Sequence, residues 1–349
     1  MTPASTPAST PATSRPIARL MPVIATTAVF LAGFLACSMV FPNFASMRVV
    51  MNLLTDNAFL GIVAVGMTFV IISGGIDLSV GSVIGFTTVF LALAIERWGV
   101  PPLAAFVIIL VLAGLFGAAM GATIQYFDLP PFIVTLAGMF LARGASFLLS
   151  TESIPINADF YGDLAGHAIR FSGGARFTVP AMIMLAVVAA GMVLLHLTRF
   201  GANVYALGGN RAATALMGVN VARTTVLIYT LSGVLAGLSG IVFSLYTSSG
   251  YSLSAVGVEL DAIAAVVIGG TLLSGGYGFV FGTFVGVLIQ GLIQTYISFD
   301  GSLSSWWAKI ATGLLLFAFI AFQQVTVHLA RRPRLGAAGA TRPAGAARP

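Results

Sequence analysis

A chain of 349 residues in which 58% are hydrophobic and 7% charged does not read as a soluble domain, where roughly 25% are charged. Lipid covers helices that are apolar all round, and the ~10-residue alternating segments of a transmembrane β-barrel are absent. The single cysteine, Cys37, excludes an internal disulfide and a cysteine-cluster metal site.

Residues 1–14 hold near-repeats of Thr-Pro-Ala-Ser, and 1–19 is expected to be a disordered cytoplasmic tail. Ten transmembrane helices are predicted after it: 20–40, 57–73, 79–95, 102–124, 131–150, 179–197, 223–246, 259–274, 279–297 and 306–328. The long uncharged runs exceed the ~20 residues one crossing needs. Residues 34–37, FLAC, faintly resemble a lipoprotein cleavage site, but the many later spans favour a first membrane helix. Gly275-Gly276-Tyr277-Gly278 divides the eighth and ninth spans, because it makes a poor helix interior. Ten spans put both termini on one side. Arg15, Arg19, Arg199, Arg211, Arg223, Arg331, Arg332, Arg334, Arg342 and Arg348 share that side. Only Arg48, Arg97, Arg170 and Arg176 lie in opposite loops, with Arg143 and Lys309 inside spans. The bias makes the termini cytoplasmic. The net charge of +6 therefore reads as a topology signal beside anionic lipid, not a nucleic-acid site. The expected fold is an all-α polytopic membrane domain over 20–328, followed by a basic cytoplasmic tail, 329–349.

Two glycine motifs resemble one another: GGIDLSVG at 74–81 and GGTLLSGG at 269–276. Each joins two apolar helices, which fits either an internal duplication or chance in a glycine-rich chain. Catalytic constellations are missing. The only lysine, Lys309, precedes Ile310, so no Walker A loop exists to hold ATP phosphates. His167, His196 and His328 have no metal-binding spacing.

The loop 198–223 is the most informative segment outside the spans. Gly208-Gly209 permits a sharp turn, Asn210 is a good N-cap and 211–217 favours a short helix. Gly218 can end it in the left-handed conformation. Ala212, Ala213, Leu216 and Met217 then form a small apolar face that wants a docking surface, either a protein or lipid headgroups.

The remaining polar groups are candidates for a translocation path, each with a plainer role beside it. Asp77, next to Ser79, either caps the following helix or acts in gating. Glu259 and Asp261 either compensate a helix dipole or face a substrate at the pore mouth. Arg143 either snorkels outward or pairs with Glu259 or Asp261. Gln125, Gln290 and Gln294 offer amides to a ligand or join helices. Lys309, beside Trp306 and Trp307, reads as an interfacial anchor.

Three segments resemble the permease family of sugar ABC importers that includes the ribose, xylose and galactose permeases: GMTFVIISGGIDLSVGSVIGF (66–86), VYALGGNRAATALMGVNV (204–221) and VELDAIAAVVIGGTLLSGGYG (258–278). Within the family the chain is most similar to galactofuranose transporter permeases, through LTDNAFLGIVAVGMTFVI (54–71), TESIPIN (151–157) and IQGLIQTYISFDGSLSSWWAKIA (289–311). The resemblance implies a multi-pass protein of the bacterial inner membrane. It implies three kinds of partner: an ABC ATPase subunit, a second and distinct permease chain, and a periplasmic sugar-binding protein. It favours coupling over headgroup docking for Gly208, Gly209, Asn210, Ala213, Leu216, Met217 and Gly218. This chain would bind no cofactor, and ATP would be used by the partner. The rival readings are a secondary sugar transporter or facilitator, a membrane enzyme, and an amino-acid or autoinducer permease of the same superfamily.

Overall fold

The structure is a computed structural model describing residues 16–331, with side chains described over 20–321 apart from Ser172. The remaining parts of both expected tails lie outside the described residues. The first helix, α1 (Pro16–Val40), starts earlier than expected, on a proline whose fixed φ and missing N–H suit the first turn. It is followed by α2 (Met47–Asp56), α3 (Ala58–Ile72), α4 (Val80–Glu96), α5 (Pro102–Tyr126) and α6 (Pro131–Leu149). Then come β1 (Ile154–Pro155), α7 (Asp159–Gly166), β2 (Ala168–Arg170), β3 (Arg176–Thr178), α8 (Val179–Leu197), α9 (Arg199–Gly209) and α10 (Arg211–Leu216). The chain closes with α11 (Val221–Thr247), β4 (Ser249–Gly250), α12 (Val258–Ile268), α13 (Val280–Asp300) and α14 (Trp306–Arg331).

All ten predicted segments are helical, but they are unequal. Six of them (α1, α5, α6, α8, α11 and α13) are long and apolar enough to cross a membrane. The pair α2 and α3, bent by 55°, makes a seventh if counted as one. The eighth predicted span, 259–274, is corrected: α12 has 11 residues and ends at Ile268, a rise of about 16 Å at 1.5 Å per residue. Gly269 and Gly270 stop it, Gly270 with φ 92°.

Every residue of α3 except Phe59 is buried, so this helix is the axis of the bundle. Against it lie α11, α8, α12 and α13, while α1, α5 and α6 present apolar side chains such as Leu31, Leu115 and Phe140 outward. A helix surrounded by protein on all sides and a helix half covered look alike in composition, because lipid and core are both apolar.

Small residues let α5 and α11 approach closely. A Cβ on Gly117 of α5 would overlap the carbonyl oxygen of Tyr229, and one on Gly233 of α11 the carbonyl oxygen of Ala113. The two backbones therefore touch directly, as small-residue interfaces allow. Gly233→Val is expected to lower the unfolding midpoint of the detergent-solubilised chain, at a cost on the order of 1–3 kcal/mol from overpacking. Gly144→Ala, with open space around it, should leave that midpoint unchanged.

The two glycine motifs meet. Gly276 N donates to Ile72 O at 2.8 Å, and Gly275 packs on Gly74. Their likeness holds at the helix ends, but one residue out of the sequence register. Gly74 N and Gly75 N donate to Ile71 O and Val70 O, as Gly270 N and Thr271 N donate to Val267 O and Val266 O. Ser73-Gly74 thus corresponds to Gly269-Gly270. The loops that follow differ in length, because α4 starts at Val80 and α13 at Val280.

Candidate functional site

The sequence-predicted residues fall into four places. At one end of the bundle, α9 and α10 form two short helices joined at Asn210. Neither Gly208 nor Gly209 makes the expected sharp turn. Both belong to α9, and the turn is at Asn210, in extended conformation with φ −161°. Asn210 caps α10 as predicted, Oδ1 accepting from Ala213 N at 2.9 Å, and Gly218 ends the turn at φ 80°. Thr214, buried, donates to Ala206 O at 2.7 Å and holds α10 to α9. Arg211 reaches Gln125 Oε1 at 2.5 Å, which gives Gln125 a helix-joining role. Leu216 and Met217 remain 90% and 69% exposed, on an element too short to stand alone in water.

Gly208 is seated where the two motifs meet. A Cβ there would overlap Ile72 O and come within 2.6 Å of Gly276 N. Tyr205 adds a bond from its hydroxyl to Gly278 O at 2.5 Å. The α9–α10 element therefore rests directly on the end of α3 and on the loop after α12. Any displacement of it bears on both.

Asp77 and Ser79 lie inside the bundle. After α3 the chain is non-helical over 75–79, and within this stretch Asp77 meets Ser232 of α11. The Asp77 carboxylate is fully buried and accepts from Ser79 N (3.0 Å), Ser79 Oγ (2.6 Å) and Ser232 Oγ (2.7 Å). Thr135 Oγ1 donates to Ile76 O at 3.1 Å. Non-helical backbone at this depth needs such partners. The geometry at Asp77 is that of a helix-start tether, reaching across to α11.

Arg143 and Glu259 form a third cluster. Arg143 Nη1 donates to Ser252 O (2.5 Å) and Ser254 O (2.9 Å), pinning the connection before α12 to α6. The guanidinium and the Glu259 carboxylate interact through space, but no direct ion pair joins them among the described residues. Glu259 lies against Gly81, its Oε2 buried without a hydrogen-bond partner. Pairing of Arg143 with Asp261 is overturned, because Asp261 is taken by Lys309, at 2.7 and 2.6 Å. Lys309 is accordingly a bridge from α14 to α12 and not a free interfacial anchor.

Asp261, Gln290 and Gln294 come together on a cavity of about 380 Å³ between α2, α3, α12, α13 and α14. Gln290 Nε2 donates to Asp261 O at 3.0 Å. Sequence reasoning missed the other polar wall, Asn52, Asp56 and Asn57: Asn57 opens the second predicted span, while Asn52 and Asp56 lie on α2, which falls between predicted spans. Its signal was present: Val49 and Leu53, four apart, are its buried residues, an i, i+4 apolar stripe. Tyr229, whose hydroxyl lies beside Gly75, was also passed over. Among the described residues no His, Cys, Asp and Glu group could hold a metal ion.

Residues 49–320 match the family model BPD_transp_2, described as branched-chain amino acid transport system / permease component. The chain is 60% identical over 308 residues to the inner membrane ABC transporter permease protein YjfF of Escherichia coli K12, covering 88% of this chain and 93% of that one. It is 36% identical to the fructose import permease protein FruG of Bifidobacterium longum NCC 2705 (88% and 92% covered). It is 39% identical to the ribose import permease protein RbsC of E. coli K12 (79% and 85% covered). No solved structure matches it. The chain belongs to this permease family, on its sugar ABC importer branch, and is a polytopic transport subunit.

Proposed function

We propose that this permease is the membrane-spanning subunit of an ATP-driven importer for galactofuranose or a related monosaccharide, in the bacterial inner membrane. A separate ABC ATPase consumes the ATP and docks on α9–α10. The chain works beside a second, similar permease and takes sugar from a periplasmic binding protein. The observation that carries the reading is the seating of Gly208 on Ile72 and Gly276, with Leu216 and Met217 exposed on the same element. Force applied to those two side chains reaches α3, the axis of the bundle, and the end of α12 without an intervening flexible segment. The arginine bias assigns the α9–α10 end to the cytoplasm. Galactofuranose is favoured by segments 54–71, 151–157 and 289–311, which most resemble permeases for that sugar.

Proteoliposomes containing both permeases, the ATPase and the binding protein should accumulate labelled galactofuranose only when ATP is supplied on the ATPase side. Uptake that persists without the ATPase would establish a secondary transporter instead. Retention of ribose or fructose, and not galactofuranose, by the binding protein would reassign the substrate.

A further inference from the structure

The cavity beside the Asp261–Lys309 pair has a chemistry that goes further. It lies at the opposite end of α3 and α13 from the α9–α10 element, since Asn57 precedes α3 while Ile72 ends it. Its volume of about 380 Å³ sits near the small end of the roughly 300–1,000 Å³ typical of small-molecule sites. Two of its side-chain amides, Asn52 and Gln294, are exposed and make no hydrogen bond within the described residues. An amide offers both donors and an acceptor, which matches a sugar hydroxyl. Phe59 and Phe299 supply apolar surface for the C–H face of a ring. Both oxygens of Asp261 are held by Lys309, so neither charge is left for a ligand. The remaining carboxylate, Asp56, accepts from Tyr246 at 3.3 Å and would repel an anion.

We propose that this cavity is a transit site for a neutral monosaccharide within the permease chain, with the Asp261–Lys309 pair neutralising its wall and tying α12 to α14. The proposal rests on the sugar-importer reading and adds the place where the chain itself touches its cargo. A phosphorylated sugar lacks a free cation here. A zwitterionic amino acid would find the Asp56 carboxylate for its ammonium group but no free cation for its carboxylate.

Two arms test it. In the reconstituted complex, the double variant Asn52→Leu, Gln294→Leu should lose at least about tenfold in sugar uptake, because sugar hydroxyls would face partners that cannot bond. ATP hydrolysis stimulated by loaded binding protein should stay near the parent value. Uptake within about twofold of the parent would overturn the proposal. If the parent complex shows no ATP-dependent sugar uptake, the functional reading fails, and the second arm decides the cavity by itself. A Gln294→Cys variant is labelled with a membrane-impermeant maleimide, the native Cys37 being buried. Protection by galactose or ribose, but not by leucine, is expected. Equal labelling with all three compounds, or protection by leucine alone, would overturn the assignment.

Discussion

Gly208→Ala is expected to lower sugar uptake by at least about tenfold while the chain still inserts in the membrane and the ATPase still turns over. The methyl group would overlap Ile72 O and crowd Gly276 N. Both obstacles are backbone, so no rotamer change relieves them. The end of α9 must lift from the junction, at a cost on the order of 1–3 kcal/mol, and the Gly276–Ile72 hydrogen bond is strained with it. Gly209→Ala is the control. Its Cβ meets nothing within 4 Å and its backbone is helical, so alanine should be neutral or slightly stabilising, by about 0.5–1 kcal/mol. The measurement is uptake per ATP hydrolysed in proteoliposomes. If the two variants behave alike, direct seating is not how the element transmits motion.

Asp77→Ala should destabilise the permease by about 2–4 kcal/mol, since it strands three buried donors at once: Ser79 N, Ser79 Oγ and Ser232 Oγ. The start of α4 would lose its tether to α11. Asp77→Asn keeps a carbonyl oxygen for the two Ser79 donors, and Ser232 Oγ can turn to accept from the new amide, so its cost should stay within about 1 kcal/mol. Thermal unfolding of the detergent-solubilised complex separates the two. Uptake adds the decisive comparison between roles. A stable Asp77→Asn variant that transports normally makes Asp77 a structural tether. A stable variant that cannot transport places its charge in the path.

Much of the element-level reading follows from residue chemistry alone. The ten apolar segments match helices, with prolines at the starts of α5, α6 and α8 and glycines where helices stop. Asn210 and Gly218 bounded α10 because capping is local: a side chain bonds its own backbone three residues on, and a left-handed residue ends the turn. The turn expected at Gly208-Gly209 was misplaced for a non-local reason. Gly208 is needed for close approach to Ile72 and Gly276, which no local pattern reveals.

The charged residues show the same limit. Asp261 had three plausible fates in sequence, and its actual partner, Lys309, is 48 residues away on α14. Arg143 found carbonyl oxygens at Ser252 and Ser254 because the connection before α12 is pinned to α6, and backbone acceptors carry no residue signature. Composition by itself determined a polytopic membrane chain, since hydrophobic length acts segment by segment, and arginine placement supplied the expected orientation. Only the tertiary structure decided which helix forms the axis, that the two glycine motifs meet under Gly208, and that Asp261, Gln290 and Gln294 share one cavity. In lipid every helix is apolar outward as well as inward, so the choice of neighbours rests on backbone fit and hydrogen bonds between distant residues.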